Sequence, residues 1–222
     1  VDAALAQARQ AVEAAQTVEE VEAALAAAKE AIQAAGELVC ASDLFRDVSL
    51  DAWYHKGVDF VVRSNYMEGM GNGVFGVNAA ITRGQIVTIL YRMANSPSVS
   101  GKFPFTDVKE GRYYTEAVAW AYENGVAKGV TGERFAPNAA VTREQMVVFF
   151  VRYAELTGMD THAAGDLSAF ADADLVSAYA KDAVIWAVET GLLQGMGNDT
   201  ISPKGTATRA QAAQILMRFL SL

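Results

Sequence analysis

The stretch AITRGQIVTIL, residues 80–90, has two close copies later in the same chain, AVTREQMVVFF at 140–150 and ATRAQAAQIL at 207–216. Each copy places Thr-Arg-x-Gln at the start of an apolar run. An internal repeat sets the architecture of a chain, because each copy is one structural unit that buries its apolar face against its neighbours. The three copies therefore predict a fold of three similar units.

The alignment extends upstream from these blocks without a gap to Trp53, Tyr113 and Tyr179. Further upstream, the tetrapeptides FRDV, FTDV and FADA open the three copies. We expect repeats at 41–98, 99–162 and 163–222, preceded by an Ala/Glu-rich helical segment at 1–40.

Each copy predicts a helix, a Gly-rich loop and a second helix, and hence a mainly α fold. Asn65, Gly125 and Gly191 coincide in the alignment and predict the end of the first helix, because Asn and Gly tolerate the left-handed backbone that follows a helix. Bulky apolar residues recur at helical spacing and predict the core. The predicted core positions include Val58, Val118, Val184, Phe60, Trp120, Trp186, Leu90, Phe150 and Leu216.

The segment 1–40 is a different kind of sequence. Thr17-Val-Glu-Glu20 matches a capping box, in which a Thr hydroxyl and a Glu carboxylate cap a helix start. We expect two helices that meet near Thr17, as a hairpin or as a kinked rod. The segment is either a spacer or the end of a preceding domain.

The overall composition excludes several classes of protein. The net charge of −8 argues against a nucleic-acid binder, and no apolar run is long enough to span a membrane. The chain starts at Val1 without a signal peptide, so we expect a mature or excised piece. Cys40 is the one cysteine, so no disulfide forms within the chain. His55 and His162 leave little material for a histidine-based metal site, and we expect neither a metal nor a cofactor.

An enzyme is not favoured. The stretch GNGVFG at 71–76 matches G-x-G-x-x-G, but it follows a predicted helix rather than a strand, and the second copy lacks it. No nucleophile–base pair or isolated carboxylate pair stands out beyond the repeated scaffold. We expect no catalytic residues.

The Thr-Arg-x-Gln blocks fit capping boxes, with the threonine as N-cap. Each arginine then occupies the first helical position, where the helix dipole disfavours a cation by about 0.3–1 kcal/mol. Arg92, Arg152 and Arg218 also align, but they fall in the last turn, where the dipole favours them, and a structural role accounts for them. The capping threonines are Thr82, Thr142 and Thr208, and the arginines that follow them are Arg83, Arg143 and Arg209.

A guanidinium beside unpaired helix N–H groups is a good receptor for a carboxylate or a phosphate. We therefore interpret Arg83, Arg143 and Arg209 as three similar anion-binding groups, with pairing to a nearby Asp or Glu of the chain as the alternative. Three linked weak sites would bind a polymer with gain in avidity. On this interpretation, replacing all three by alanine leaves the fold intact and removes binding.

The layout F-x-D-V, W-Y, G, G-x-F and I-T-R-x-Q resembles the S-layer homology (SLH) domain, over about Leu44 to Leu222, and three tandem copies are that family's usual number. The resemblance implies a pseudo-threefold spindle with projecting loops. It also implies attachment of a surface protein to secondary cell-wall polysaccharide at the bacterial cell surface. The implied ligand is a terminal pyruvylated N-acetylmannosamine, bound in grooves between repeats. Its carboxylate matches the anion expected for the three arginines.

By the same resemblance, the Gly-rich loops help to shape the grooves. Trp53 and Tyr113 are candidates for sugar contact, although packing is favoured for both, and Met70 and Met196 divide evenly between contact and packing. Together with the three arginines and the three threonines, the candidate ligand-binding residues are Gly69, Met70, Gly71, Asn72, Gly129, Gly195, Met196, Gly197, Asn198, Trp53 and Tyr113.

Some features limit this interpretation. The third copy has Ala173 and Ala207 where the others have larger residues, and its loop lacks the Phe, so equal affinity of the three grooves is in doubt. Asp47, Asp107 and Asp172 recur, and we interpret them as turn or capping groups. A protein–protein assembly module of a surface layer, with lattice or oligomer contacts, is the main alternative function. A lectin for neutral glycans is the weaker one.

Overall fold

The computed structural model describes residues 9–14, 17, 20–27 and 40–222 of the chain. Within these residues the regular structure is helical, and extended segments meet only as isolated bridges. The predicted mainly α fold is confirmed. The helices are α1 (Ala41–Leu44), α2 (His55–Arg63), α3 (Arg83–Met93), α4 (Thr115–Glu123), α5 (Arg143–Leu156), α6 (Lys181–Glu189) and α7 (Arg209–Phe219), with 3-10 turns at Ala173–Leu175 and Ala178–Ala180.

The N-terminal segment is helical at 9–14 and 20–27. The Thr17 N–H donates to Glu20 Oε2 at 3.1 Å, and the Glu20 N–H donates to Thr17 Oγ1 at 3.2 Å. The predicted capping box is therefore confirmed. The choice between a hairpin and a kinked rod depends on residues that lie outside the described part.

The first helix of each repeat ends where the sequence predicted. Asn65, Gly125 and Gly191 have φ values of 55°, 70° and 71°, in the left-handed region. After α2, the Tyr66 N–H donates to the Val61 carbonyl at 3.0 Å, a bond that satisfies a carbonyl left free at the helix end.

The helices pack between repeats and form a closed ring. The second helix of one repeat packs against the first helix of the next, which pairs α3 with α4 and α5 with α6. The last helix, α7, returns to pack against α2 of the first repeat. Each repeat therefore depends on its neighbours, and the predicted pseudo-threefold arrangement is confirmed.

The segments that precede the capping threonines meet at the centre of this ring. The Ile81 N–H donates to the Ala207 carbonyl at 3.0 Å, the Ala207 N–H to the Val141 carbonyl at 2.9 Å, and the Val141 N–H to the Ile81 carbonyl at 3.1 Å. These three hydrogen bonds form a closed cycle. It places the starts of α3, α5 and α7 around one axis.

The predicted core is confirmed with one refinement. The valine of each first helix and the apolar residue in the middle of each second helix are fully buried, whereas Phe60 is only partly buried. The loop residues Phe75, Phe135 and Ile201 are fully buried too. Each loop is therefore anchored by one large side chain.

The recurring aspartates hold these loops. Asp47 accepts hydrogen bonds from the backbone N–H groups of Phe75, Gly76 and Val77 at 2.7–3.0 Å. Asp107 and Asp172 each accept two such bonds from the equivalent loops of their own repeats. Burial by itself would raise the pKa of Asp47 and Asp107, but the backbone donors outweigh it and lower both pKa values. Their interpretation as turn groups is confirmed.

These aspartates predict a loss of stability in acid. Because the folded pKa values of Asp47 and Asp107 lie below the unfolded value of about 3.9, their stabilisation is fully present above that pH. It is lost as the pH falls through the lower, folded pKa values. Asp47→Asn is expected to lower the free energy of unfolding by about 1–2 kcal/mol at pH 7, after allowance for solvent screening. Urea titrations at pH 7 and pH 3 measure this, and an effect equal at both pH values would contradict it.

Candidate functional site

The three Thr-Arg-x-Gln blocks form the predicted capping boxes. The Thr82 hydroxyl accepts a hydrogen bond from the Gln85 N–H at 3.3 Å, and Gln85 Oε1 accepts one from the Thr82 N–H at 3.0 Å. The other two blocks have the same pair of bonds. Among the described residues, the threonines are not part of the groove linings given below, so the structure places them in the caps.

The helix starts do not offer free N–H groups to an anion. The Arg83 N–H donates to the Ala139 carbonyl at 2.9 Å, and the Gly84 N–H donates to the Pro137 carbonyl at 2.8 Å. The N–H groups of the other two helix starts bond to the neighbouring repeat in the same way. The expectation of unpaired donors beside each arginine was therefore wrong, because the adjacent loop supplies carbonyl acceptors.

The arginines themselves join one repeat to the next. Arg83 Nε donates to the Phe135 carbonyl at 2.8 Å, and its Nη2 donates to the Lys128 carbonyl at 2.7 Å. Arg143 and Arg209 make equivalent pairs of bonds to backbone carbonyls. The three side chains are only 7%, 4% and 5% exposed. These contacts explain a cation at the first helical position without an Asp or Glu partner.

This geometry contradicts the expectation that alanine at all three positions leaves the fold intact. Each guanidinium satisfies two carbonyls at a junction between repeats, and removal of a buried donor leaves its acceptors unpaired. Among the described residues, no hydrogen bond uses the Nη1 atom of any of the three. The Nη1 group of each guanidinium is therefore not used in the contacts between repeats.

Aromatic rings flank two of the guanidinium groups, and Asp107, Asp172 and Asp47 attract Arg83, Arg143 and Arg209 respectively from beyond ion-pair distance. The Cζ atom of Arg83 lies 4.8 Å from the centroid of the Phe135 ring, and that of Arg209 lies 4.7 Å from the Phe75 ring. Burial lowers the pKa of all three arginines, and repulsion from Arg152 adds to the lowering at Arg83.

A groove opens beside each of these arginines, and each groove draws on all three repeats. Groove 1 is lined by Arg83, Lys128, Gly129, Val130, Gln145, Val148, Phe149, Arg152 and Tyr179. Groove 2 is lined by Arg143, Leu193, Gln194, Gly195, Met196, Gln211, Gln214, Ile215, Arg218 and Trp53. Groove 3 is lined by Arg209, Tyr66, Met67, Glu68, Gly69, Gln85, Thr88, Ile89, Arg92 and Tyr113.

One exposed aromatic residue lines each groove. Trp53, Tyr113 and Tyr179 are 62%, 61% and 59% exposed. Packing was favoured for Trp53 and Tyr113, and the structure contradicts this, because both rings are exposed along a groove. Tyr179 was missed as a site residue, although it aligns with the other two in the sequence.

Only part of each Gly-rich loop lines a groove. Gly69, Gly129 and Gly195 line the grooves, and Met196 lines groove 2, where Gln211 Nε2 donates to its sulfur at 3.3 Å. Met70 is 58% exposed and lies outside the described lining of groove 3. Four further candidates lie at the tips of tight turns, outside these linings: Gly71, Asn72, Gly197 and Asn198.

Arg92, Arg152 and Arg218 were expected in last turns and assigned a structural role only, yet all three line grooves. The last-turn position is confirmed for Arg92 and Arg218 but was wrong for Arg152, because α5 continues to Leu156. Their surroundings differ. Arg92 Nη2 lies 2.7 Å from Glu68 Oε1 in groove 3, and Arg218 Nη2 donates to Gln194 Oε1 at 2.7 Å in groove 2.

In groove 1 the residue equivalent to Glu68 and Gln194 is Lys128. Arg152 has no hydrogen bond or ion pair to any other residue that the structure describes. Groove 1 therefore combines three cationic side chains with no acidic lining residue, whereas groove 3 contains an internal ion pair. The cavity volume also decreases from groove 1 to groove 2 to groove 3, with values of about 440, 370 and 230 Å³.

Glu144 occupies the position of Gly84 and Ala210 in the other copies, and it contacts Tyr179, a residue that lines groove 1. It is 2% exposed and accepts hydrogen bonds from Lys204 Nζ at 2.6 Å and from the Tyr179 hydroxyl at 3.2 Å. Burial would raise its pKa, but Lys204 and Ser177 outweigh burial and lower it. Glu144 therefore stays ionised at neutral pH and holds the Tyr179 ring at the edge of the groove.

The architecture defines a class of protein: a closed ring of three helix–loop–helix repeats with a groove at each junction. A family model described as the S-layer homology domain matches residues 44–87, 104–147 and 169–213. The chain therefore belongs to the S-layer homology domain family, as the sequence pattern predicted.

Curated relatives share the same segment. The chain is 32% identical to the Surface-layer 125 kDa protein of Lysinibacillus sphaericus, over 76% of the chain and 14% of that protein. It is 29% identical to S-layer protein sap of Bacillus anthracis, over 82% of the chain and 22% of that protein. It is also 30% identical to Amylopullulanase of Thermoanaerobacterium thermosulfurigenes, over 79% of the chain and 9% of that enzyme.

The chain spans less than a quarter of the length of these relatives. The family and the S-layer relatives identify it as part of a cell-surface or cell-wall protein and support a cell-wall anchoring module. The SLH repeats are a non-catalytic module, and the enzyme match covers a small fraction of that enzyme. In the described residues, no helix is long and apolar enough to cross a membrane.

Proposed function

We propose that the three grooves bind a secondary cell-wall polysaccharide that ends in pyruvylated N-acetylmannosamine, and that this binding attaches a surface protein to the bacterial envelope. The observation that carries the proposal is the recurring set in each groove: one arginine from a helix start, one from the second half of a helix and one exposed aromatic ring. This set fits a sugar that carries a carboxylate.

Each member of the set has a distinct task. A planar guanidinium binds a carboxylate through two parallel hydrogen bonds, and Arg152, Arg218 and Arg92 are proposed to bind the carboxylate of the pyruvate ketal in this way. Arg83 and its equivalents line the same grooves, and their Nη1 groups are proposed to add a hydrogen bond to the ligand. The apolar face of the sugar stacks on the exposed ring, and the glutamine amides bond its hydroxyl and acetamido groups.

The grooves are proposed to differ in affinity. Groove 1 offers Arg83, Lys128 and Arg152 to an anion, whereas a ligand in groove 3 must compete with Glu68 for Arg92. Groove 2 is intermediate, because Gln194 is neutral. We expect the affinity for an anionic sugar to decrease from groove 1 to groove 2 to groove 3.

Linked grooves make the weak sites useful. A polymer that engages two grooves gains avidity, because the second contact forms at a high effective concentration. The net charge of −8 disfavours non-specific binding of an anionic polymer, so the cationic side chains of the grooves are proposed to be its sites of contact.

A pelleting experiment tests the proposal. The chain is mixed with purified wall sacculi that carry pyruvylated polysaccharide, and with the same sacculi after mild acid hydrolysis of the ketal. We expect the chain to pellet with the first preparation and to stay in the supernatant with the second. Equal pelleting with both would contradict the role of the carboxylate.

The alternative function, a protein–protein assembly module of a surface layer, gives a different outcome. In that case the chain self-associates in analytical ultracentrifugation without polysaccharide and does not pellet with either kind of sacculus. The exposed rings Trp53, Tyr113 and Tyr179 would then form protein contacts.

A further inference from the structure

A cluster outside the grooves contains the one cysteine of the chain. Cys40 immediately precedes α1, and its Sγ lies 2.9 Å from Nε2 of His55, the first residue of α2. Asp59 follows one helical turn later, with its Oδ2 3.7 Å from the same nitrogen. The chain has only one cysteine and two histidines, so contact between a cysteine and a histidine is not expected by chance.

The geometry differs from that of a catalytic relay. In a nucleophile–histidine–acid triad, the acid bonds the ring nitrogen opposite to the one that faces the nucleophile. Here Cys40 Sγ and Asp59 Oδ2 both approach Nε2 of His55, and one ring nitrogen cannot hydrogen-bond productively to both. A thiol sulfur, an imidazole nitrogen and a carboxylate oxygen that converge within 4.8 Å of one another are instead arranged as ligands around a common point.

We propose that Cys40 Sγ, His55 Nε2 and Asp59 Oδ2 bind a divalent transition-metal ion, with zinc as the best match. Zinc prefers this mixture of sulfur, nitrogen and oxygen, at about 2.3 Å from sulfur and about 2.0–2.2 Å from nitrogen or oxygen. Tetrahedral geometry then places the ligand atoms about 3.5 Å apart, so the sulfur and nitrogen need to separate by about half an ångström. The fourth position is left for water.

The neighbouring groups support this assignment. The Ala41 N–H donates to Asp59 Oδ1 at 2.6 Å, which orients the carboxylate and leaves Oδ2 towards the cluster. The Ser42 hydroxyl lies 3.0 Å from Cys40 Sγ, where it can donate to a thiolate. Hydrogen bonds of this kind fix metal ligands in proteins. Arg63 Nη2 lies 3.5 Å from Asp59 Oδ2, the ligand atom itself, so the guanidinium has to move off that oxygen when an ion binds.

A bound ion would act as a clamp at the entry to the first repeat. Cys40 lies just before the repeat region, whereas His55 and Asp59 belong to α2, the helix that closes the ring by packing against α7. A ligand that binds only the folded state stabilises it. The proposal departs from the sequence-based expectation of no metal, because one histidine is sufficient when a cysteine and an aspartate lie beside it.

Cobalt(II) is the probe that tests the site. Titrated into the reduced chain, it is expected to produce a thiolate-to-cobalt charge-transfer band and the intense visible bands of a four-coordinate ion, which one equivalent of zinc then removes. The variants Cys40→Ser, His55→Gln and Asp59→Asn are each expected to weaken binding at least tenfold, and Cys40→Ser abolishes the charge-transfer band. His162→Gln, a change at the other histidine, is the matched control and is expected to leave the titration unchanged.

Two outcomes overturn the proposal: a wild-type spectrum without a charge-transfer band, or equal cobalt affinity in wild type and His55→Gln. Circular dichroism of each variant confirms that it is folded. Zinc is also expected to raise the thermal unfolding midpoint of wild type and of His162→Gln, but not that of Cys40→Ser. Neither measurement involves polysaccharide, so the result is independent of the anchoring function.

Discussion

The triple variant Arg83→Ala/Arg143→Ala/Arg209→Ala is expected to lose most of its stability at 25 °C. Each arginine donates to two carbonyls of the next repeat from a side chain that is at most 7% exposed. The loss of one such residue costs about 3 kcal/mol, because the carbonyls remain buried without a donor. Three losses sum to about 9 kcal/mol, within the usual total stability of about 5–15 kcal/mol. Far-ultraviolet circular dichroism and urea titration measure the effect.

The matched control is Arg92→Ala/Arg152→Ala/Arg218→Ala, which removes the same number of charges from the same three grooves. Arg92 and Arg218 lie in the last turns of α3 and α7, and Arg152 lies one turn before the end of α5. All three are partly exposed, and the bonds from Arg92 to the Tyr66 carbonyl and from Arg218 to the Leu192 carbonyl are long, at 3.2 and 3.4 Å. We therefore expect a folded protein of moderately reduced stability that has lost binding. A folded first triple variant with the stability of wild type would contradict the structural role of Arg83, Arg143 and Arg209.

Lys128→Glu is expected to reduce the affinity of groove 1 for the pyruvylated sugar more than tenfold. The change reverses a charge beside Arg83 and Arg152, and a reversal within several ångströms of a carboxylate costs more than about 1.4 kcal/mol even after screening. The measurement uses the background Arg92→Ala/Arg218→Ala, in which groove 1 alone retains both arginines.

The reciprocal change serves as the control. Glu68→Lys releases Arg92 from its ion pair and is expected to raise the affinity of groove 3, measured in the background Arg152→Ala/Arg218→Ala. If Lys128→Glu weakens binding and Glu68→Lys also weakens it, the charge explanation fails. The ranking of the three grooves fails with it.

Local features of the fold could be predicted from the sequence. The capping boxes at Thr82, Thr142 and Thr208, and the left-handed residue that ends each first helix, depend on residue types within a few positions of one another. The aspartates could be placed in turns for the same reason. Comparison of three copies in one chain made these patterns more certain than one copy would have done.

The partners of the arginines could not be predicted. Arg83 Nη2 donates to a carbonyl 45 residues away and Arg209 Nη2 to one 141 residues away. Every residue type has a backbone carbonyl, so no sequence pattern marks the acceptor. The helix-dipole argument correctly identified Arg83 and its equivalents as unusual. It could not tell whether the partner of each arginine is a bound ligand or the backbone of the next repeat.

The residues that line the grooves could also be predicted only in part from the sequence. Trp53 and Tyr113 look like core residues at the sequence level, and Arg152 looks like a residue placed to satisfy a helix dipole. Their common position becomes clear only when the ring closes and brings one residue from each repeat to the same groove. Closure of the ring also places Glu68, Lys128 and Gln194 at equivalent positions in the three grooves, where their different charges affect ligand binding.

Calorimetric titration of the chain with a synthetic pyruvylated N-acetylmannosamine glycoside, beside the same glycoside without pyruvate, tests the central claim most directly. We expect binding of the pyruvylated sugar alone, with the tightest site lost in Arg152→Ala. Equal affinity for the two sugars, or binding that is unchanged in Arg152→Ala, would contradict the assignment of the grooves as carboxylate sites.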